Sequence, residues 1–336
     1  MSVVTVRYSG RACLLGEHCD WAGGSSLTVP LPMGIEFRAE PAREGLTLRS
    51  EMDGELFEER WTIEARNHHR GPLRFVSAVI NQLLETGIEP PPAEIWVRSD
   101  LPHGRGFSSS AAFTLGLMDS LTRLSGRPLS IRALAALAYQ AERNQLGIQC
   151  GMLDPAACAA GQPLFIKWIP SAIRDMDMSS QRIHPLGTLH LVVGAFQKPR
   201  DTRKILQTLQ TNMNSPIQDP KGDAVREAIT VFAAMAERGA YAMQNGHVTD
   251  LGACMDTAQE AYEEHLSTQF SSTRAPKLVR TCRSLKQMNA LGAKFSGAGG
   301  DGSVVALFAD ENTARSAAIQ LEEDDIFSWY VPVEAP

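Results

Sequence analysis

A chain of 336 residues that is 43% hydrophobic can bury more than one core, and its length sets a soft expectation of two domains. A net charge of -6 with no Lys/Arg cluster of the kind that follows a phosphate backbone argues against a nucleic-acid partner. No run of about 18 apolar residues occurs, the first residues lack a basic stretch followed by an apolar one, and no two cysteines form a C-x-x-C pair.

The expectations that follow are a globular cytoplasmic protein with no membrane partner, no structural zinc, and six reduced cysteines, mostly buried. Residues 3–8 and 12–15 read as strands flanking Ser9-Gly10-Arg11, and residues 27–32 and 34–39 as further strand. Between them lies a polar turn, Gly16-Glu17-His18-Cys19-Asp20-Trp21. Glu17, His18 and Asp20 fall within four positions, and three readings stay open for them. One is a metal site, which the H-x-D spacing fits poorly. Another is a solvated turn. The third is hydrogen bonding to a substrate with many hydroxyls or a carboxylate.

Residues 46–63 alternate apolar and polar side chains and predict a peripheral hairpin without chemistry. His68 and His69 stand in a polar loop with no ligand-spaced neighbours and read as surface. Residues 75–86 carry apolar side chains at helical spacing and stop at Gly87, and residues 93–97 read as a strand. That strand delivers the chain to LPHGRGFSSSAA, residues 101–112, a glycine- and serine-rich turn running into a helical pattern at 113–124. Glycine lets the backbone approach a ligand, and a helix start offers unpaired N–H groups with partial positive charge, so the junction suits a phosphate. A plain loop before a serine-capped helix is the alternative.

A turn at Gly126 and Pro128 precedes a helix over 131–145, with Glu142 near its end. Residues 146–155 form a glycine-punctuated apolar loop holding one acid, Asp154. A carboxylate among Met and Leu is costly to ionise without a cation or a donor, which hints at function. Asp154 before Pro155 also suits a helix N-cap, and both can hold at once. Strands at 164–168 and 189–196 open the second half, followed by a basic polar loop at 198–204 and a helix at 205–211. Helices over 224–243, 248–265 and 277–291 come next. A third glycine-rich segment, 292–302, leads to a strand at 303–308, and a helix at 311–323 and a strand at 327–333 close the chain.

Three glycine-rich segments in this order resemble those of the GHMP kinases, the superfamily of galactokinase, homoserine kinase, mevalonate kinase and phosphomevalonate kinase. Ser9 to Trp21 resembles the galactokinase form of the first motif, G-R-x-N-L-I-G-E-H-x-D-Y. Pro102-x-Gly104-x-Gly106-Phe107-Ser108-Ser109-Ser110 resembles the nucleotide-phosphate loop, and Lys294 to Gly302 the third motif. The resemblance spans nearly the whole chain, and three such loops in order are highly specific. It implies an α+β protein with the GHMP kinase fold. A ribosomal-S5-domain-2-like N-terminal layer, residues 1–180, would carry ATP, and a ferredoxin-like α/β-plait domain would occupy 181–336. It further implies an ATP- and Mg2+-dependent phosphotransferase acting on a hydroxyl of a small molecule, as a monomer or homodimer.

Carried over by position, the resemblance makes Asp154 the catalytic base and Arg11 its partner, steadying charge on the transferred group. Glu17, His18 and Asp20 would bind substrate. Pro102, Gly104, Gly106, Ser108, Ser109 and Ser110 would cradle the phosphates, joined by Gly297, Ala298 and Gly299, while Ser110 and Glu142 would hold magnesium.

Four departures bear on substrate: Cys13 stands where Asn is usual, Trp21 for Tyr, Pro155 for Gln, and Asp301 for a glycine. Asp301 beside a phosphate would repel it unless it faced magnesium or solvent. The chain is short for a galactokinase, and residues 198–204 resemble the mevalonate-kinase stretch before a substrate-side helix. Sugar phosphorylation at the anomeric hydroxyl is the expectation, with a mevalonate-type alcohol kinase second. A non-catalytic ligand-sensing relative would have lost Arg11, Ser110, Glu142 or Asp154, and all four are present. A dinucleotide-binding oxidoreductase would need a third glycine after Gly104-x-Gly106.

Overall fold

The computed structural model describes residues 3–52, 55–61, 74–170, 176–198 and 200–334. His68, His69 and positions 62–63 of the expected hairpin lie outside the described residues. By its contacts the chain divides into two compact units, the first made of Met1–Gly10, Leu31–His103 and Ser108–Gly161, the second of Arg11–Pro30, Gly104–Phe107 and Gln162–Pro336. Two long strands belong to both: β1 (Val4–Leu15) and β2 (Gly24–Pro41), separated by a single helical turn, α1 (Cys19–Ala22). Each replaces two shorter strands expected from the sequence. Ser9-Gly10 and Pro32-Met33 look like interruptions by composition, yet each strand runs through them. Gly34 has a packing reason, since a Cβ there would sit 2.6 Å from the Tyr8 carbonyl oxygen.

In the first unit β5 (Ala93–Ser99) pairs antiparallel with Ile35–Pro41 of β2 and parallel with β3 (Leu46–Met52). β3 and β4 (Glu55–Trp61) form the expected hairpin. Helix α2 (Arg74–Glu85) buries Val76, Val79, Ile80 and Leu83, the stripe its 3.6-residue period specifies. Helix α3 (Ser109–Leu124) is buried along most of its length and begins four residues before the expected start. Its Gly116 admits the Phe37 ring of β2, where a Cβ would meet Phe37 Cε2 at 2.2 Å. Helix α4 (Ile131–Gln140), capped by Ser130 Oγ, continues as a π-helical turn, Ala141–Gln145. Helix α5 (Leu153–Ala160) starts one residue before Asp154, with Met152 at its N-cap. The N-cap alternative for Asp154 is therefore wrong: the residue lies within the first turn of the helix, not at its cap.

In the second unit Gly24–Thr28 of β2 pairs with β6 (Leu164–Pro170), which pairs with β7 (Met176–Arg182). The sequence of β7, MDMSSQR, lacks an alternating apolar pattern and gave no strand signal. A four-stranded antiparallel sheet follows in the order β11-β8-β10-β9, from β8 (Leu189–Phe196), β9 (Gly292–Phe295), β10 (Ser303–Phe308) and β11 (Ile326–Val333). Helices α6 (Thr202–Met213), α7 (Pro220–Gln244), α8 (Val248–Ala261) and α9 (Pro276–Gln287) lie in sequence between β8 and β9, and α10 (Glu311–Glu323) between β10 and β11. This order is the ferredoxin-like arrangement, with extra helices in the first crossover.

The strand β9 falls where a loop was expected, being four residues long and at the sheet edge. Its free edge is closed by α8: Ala293 N–H donates to Asp256 Oδ1 at 3.0 Å and Phe295 N–H to Gln259 Oε1 at 2.9 Å. Gly252 and Gly292 let the helix and strand backbones touch, each excluding a Cβ at the other. An otherwise sticky edge is thereby satisfied and placed.

Candidate active site

The last residues of β1 tie two glycine-rich segments of the second unit together. Arg11 is 4% exposed; its backbone N–H donates to Phe107 O at 3.2 Å and its Nη1 to Gly106 O at 2.8 Å. Two residues on, Cys13 N–H donates to Ser296 Oγ at 3.0 Å, and that hydroxyl donates back to Cys13 O at 3.2 Å. Gly106, with φ +88°, and Gly297, with φ +78°, face one another closely: a Cβ on Gly297 would lie 3.4 Å from Gly106 O. Both glycines also make room for Arg200. A Cβ at either would come within 2.9 Å of Arg200 Nη2, and one at Gly302 within 2.1 Å of Nη1. Arg200 Nη1 donates to Gly299 O at 2.6 Å. Two guanidiniums therefore stand among the glycines, and Gly104 leaves open space where a Cβ would be. In a chain of net charge -6 this is a local positive site suited to phosphate.

The polar turn after β1 holds a buried charged group. Glu17, 1% exposed, pairs with the fully buried Lys294 of β9. Burial pushes the Glu17 carboxyl up, against the pull of the Lys294 ammonium. His18 adopts a left-handed backbone at φ 67° and is buried, hydrogen-bonded to the backbone of Ala298. Burial first, then the Arg200 charge, drives its imidazole down to about 3, so it is neutral at pH 7. The Trp21 ring meets the His18 ring edge-on at 5.6 Å. Glu17 Oε2, His18 Nε2 and Trp21 Nε1 are buried without a hydrogen-bond partner. Unpaired buried polar atoms are costly, and three within five positions form a cluster able to bind a polar group. Asp20 stands half-buried in α1.

The first unit carries the remaining residues. Pro102 lies half-buried in the loop, and Ser108 opens α3 in the left-handed region at φ 63°. Its Oγ makes no cap hydrogen bond and is buried without a partner. A helix-opening serine ordinarily caps through its hydroxyl, and the left-handed backbone of Ser108 leaves that hydroxyl unused. Ser109 and Ser110 form the first turn. The carboxyl of Glu142, on the π-helical turn, is hydrogen-bonded to Ser110 and Thr114. It is buried and pushed up to about 8, by burial first and then by the negative charge of Asp154. Its Oε1 has no partner. Two carboxylates, serine hydroxyls and an orphaned carboxylate oxygen form a hard-oxygen set that fits Mg2+ in kind and charge. Among the described residues there is no group of three or more His, Cys, Asp or Glu suited to a metal. All six cysteines are free, and five are buried.

Two residues of this constellation escaped the sequence. Arg200 sits in the basic polar loop 198–204, whose only signal was its resemblance to the mevalonate-kinase stretch before a substrate-side helix, with no role given to the arginine. Lys294 gave a better clue, a lone lysine in an apolar strand that requires an acid partner. Its partner is 277 positions away. Asp301 does not face the phosphate loop's glycines: its Oδ1 accepts from the N–H groups of Lys277 and Leu278, each at 2.9 Å, and so caps α9.

Comparison with known proteins bears on the family and the fold. Residues 74–162 match the GHMP kinases N terminal domain and residues 240–324 the GHMP kinases C terminal domain, together just over half of the chain. A galactokinase of Pyrococcus furiosus is 25% identical over 349 residues, covering 98% of this chain and 96% of its own. A mevalonate kinase of Aeropyrum pernix is 26% identical over 307 residues, covering 91% and 89%. The structure of a Lactococcus lactis galactokinase complexed with galactose superposes with a TM-score of 0.79 at 18% identity, covering 99% of this chain and 94% of that one. Among the described residues no helix is long and apolar enough to cross a membrane. The chain belongs to the GHMP kinases, phosphotransferases that act on hydroxyl groups with ATP as phosphate donor.

Proposed function

We propose that this protein transfers the γ-phosphoryl group of ATP to a hydroxyl of a sugar or sugar derivative, at the anomeric position. The observation that carries the phosphoryl-transfer reading is the pair of guanidiniums, Arg11 and Arg200, held on Gly106, Gly297 and Gly299. Transfer of a phosphoryl group needs mainly positioning and neutralisation of charge. Gly104, Gly106, Ser108 and Ser109 cradle phosphate with their backbone N–H groups, and Gly297, Ala298 and Gly299 close on the same group. Ser110 and Glu142 would hold magnesium, with Asp154 nearby as a second carboxylate; the ion would supply neutralisation of phosphate charge.

Asp154 takes the proton of the acceptor hydroxyl as the acceptor oxygen bonds to the γ-phosphorus and the bond from that phosphorus to the β–γ bridging oxygen breaks, releasing ADP, and Arg11 stabilises the charge that builds there. Glu17, His18 and Asp20 bind the acceptor. The unsatisfied Glu17 Oε2, His18 Nε2 and Trp21 Nε1 support a hydroxyl-rich substrate, because each can take one hydrogen bond. The similarity to galactokinases over nearly the full chain supports the sugar. A mevalonate-type alcohol kinase is the second reading, supported by the Aeropyrum relative and by Arg200 in the segment before α6.

An ADP-release screen across galactose, glucuronate, arabinose, N-acetylhexosamines, heptoses and mevalonate tests the assignment. Turnover of a sugar at least tenfold above mevalonate is expected. Turnover of mevalonate alone would select the second reading.

A further inference from the structure

The second unit holds a cavity of about 680 Å³ that takes no part in the reaction just described. It opens to solvent and is bordered by the π-helical turn Tyr262–Ser267, the loop after it and the first turns of α9. Its volume is that of a small-molecule site. Three guanidiniums line it, Arg274, Arg280 and Arg283, against one carboxylate, Glu263. Glu263 is engaged by Arg283 at 3.2 Å, while no ion pair holds Arg274 or Arg280 among the described residues. Arg280 and Arg283 stand three apart on α9, where like charges repel. In a chain of net charge -6 three exposed guanidiniums against one carboxylate make this a locally positive patch that attracts anions. Ser271 and Thr268 add hydroxyls, and Phe270 an apolar wall.

The walls of this cavity are fastened to the third glycine-rich loop at two points. Asp301 Oδ1 accepts from the N–H groups of Lys277 and Leu278 at the start of α9. Tyr262 donates its hydroxyl proton to Thr273 O at 2.5 Å and accepts from Gly300 N–H at 2.7 Å. Its ring also fills the space where a Gly299 side chain would project.

We propose that this cavity is a second anion site that takes a diphosphate-bearing small molecule, and that occupancy acts on the third glycine-rich loop through α9 and Tyr262. Three guanidinium forks offer paired donors to two adjacent phosphate groups. A shift of α9 carries Asp301 with it, and Asp301 is contiguous with Gly299 and Gly300. The coupling rests on the nucleotide reading of that loop; the binding does not.

Isothermal titration of the full chain with inorganic pyrophosphate, at fixed free magnesium and with AMP-PNP saturating, tests the binding. One saturable site is expected, weakened at least tenfold in the Arg274→Gln/Arg280→Gln double variant, whose AMP-PNP affinity stays within twofold of wild type. No saturable binding, or equal binding by the variant, would overturn the site. For the coupling, a fluorescent mant derivative of AMP-PNP is bound and chased with excess unlabelled AMP-PNP. Competition for one site leaves the dissociation rate unchanged, so a change of at least twofold with 1 mM pyrophosphate, absent in the double variant, is the expected result. Equal rates in wild type would overturn the coupling. If no nucleotide bound at all, the kinase reading would fail, and pyrophosphate titration without AMP-PNP would still decide the cavity.

Discussion

At the scale of single residues, the site is made of side chains whose ordinary roles have been withheld. Ser108 opens a helix without capping it, and Glu142 keeps a carboxylate oxygen unpaired inside the protein. Asp154 sits in a first helical turn rather than at the N-cap. Under the proposed mechanism, Asp154→Asn keeps nucleotide affinity within about twofold and lowers kcat by roughly a hundred- to ten-thousandfold, the span of general-base contributions. Unchanged turnover in a steady-state assay would remove Asp154 from that role. Arg200 makes a different demand, because its planar fork reaches Gly299 O while lying against Gly106, Gly297 and Gly302. A lysine keeps the charge but cannot span these positions, so Arg200→Lys is expected to lower kcat/KM for ATP by about a hundredfold. A variant within threefold of wild type would show that charge alone is required there.

At the scale of elements, α9 shows how a third-loop residue can matter without touching a ligand. Its N-cap position is Ala275, which offers no side-chain acceptor, and Pro276 follows. The exposed N–H groups of Lys277 and Leu278 are satisfied instead by Asp301, more than twenty positions later. The carboxylate also meets the positive end of the helix. Asp301→Ala is expected to lower stability by about 1 to 2 kcal/mol, as loss of a capping side chain does, and Asp301→Asn by less. Urea unfolding midpoints read both; an unchanged midpoint for the alanine variant would show that water replaces the cap at no cost. The same economy appears at β9, where Asp256 and Gln259 of α8 take the place of a neighbouring strand.

At the scale of the whole molecule, buried ionisable groups make stability depend on pH. His18 is held down to about 3 in the folded chain, against an ordinary value of 6.5. The unfolded chain therefore binds the extra proton first, so stability from this group is full above about pH 6.5 and is lost as pH falls toward 3. Between pH 8 and pH 5 the loss is on the order of 2 kcal/mol. His18→Gln is expected to unfold in urea with a pH 8 to pH 5 difference smaller by about that amount. Equal pH dependence in the two proteins would mean that His18 is not buried neutral.

Much of the plan was legible in the chain. The helical periods of α2, α4 and α8, the hairpin of β3 and β4 and the strands β8 and β10 follow from local patterning, because a side-chain period shows which face is buried. The three glycine-rich segments could be recognised because glycine records a backbone need that no other residue meets. What stayed hidden depends on distant partners. Lys294 and Arg200 are ordinary basic residues until Glu17 and the glycines of two separate loops surround them. β7 and β9 are strands because neighbours supply their hydrogen bonds, not because their own residues alternate. Sequence by itself determined the family, the polar turn and the glycine-rich segments, since these are set by local backbone chemistry. Only the tertiary structure decided which charges are paired, which buried polar atoms have no protein partner, and that Asp301 caps a helix, because burial and pairing belong to contacts between residues far apart in the chain.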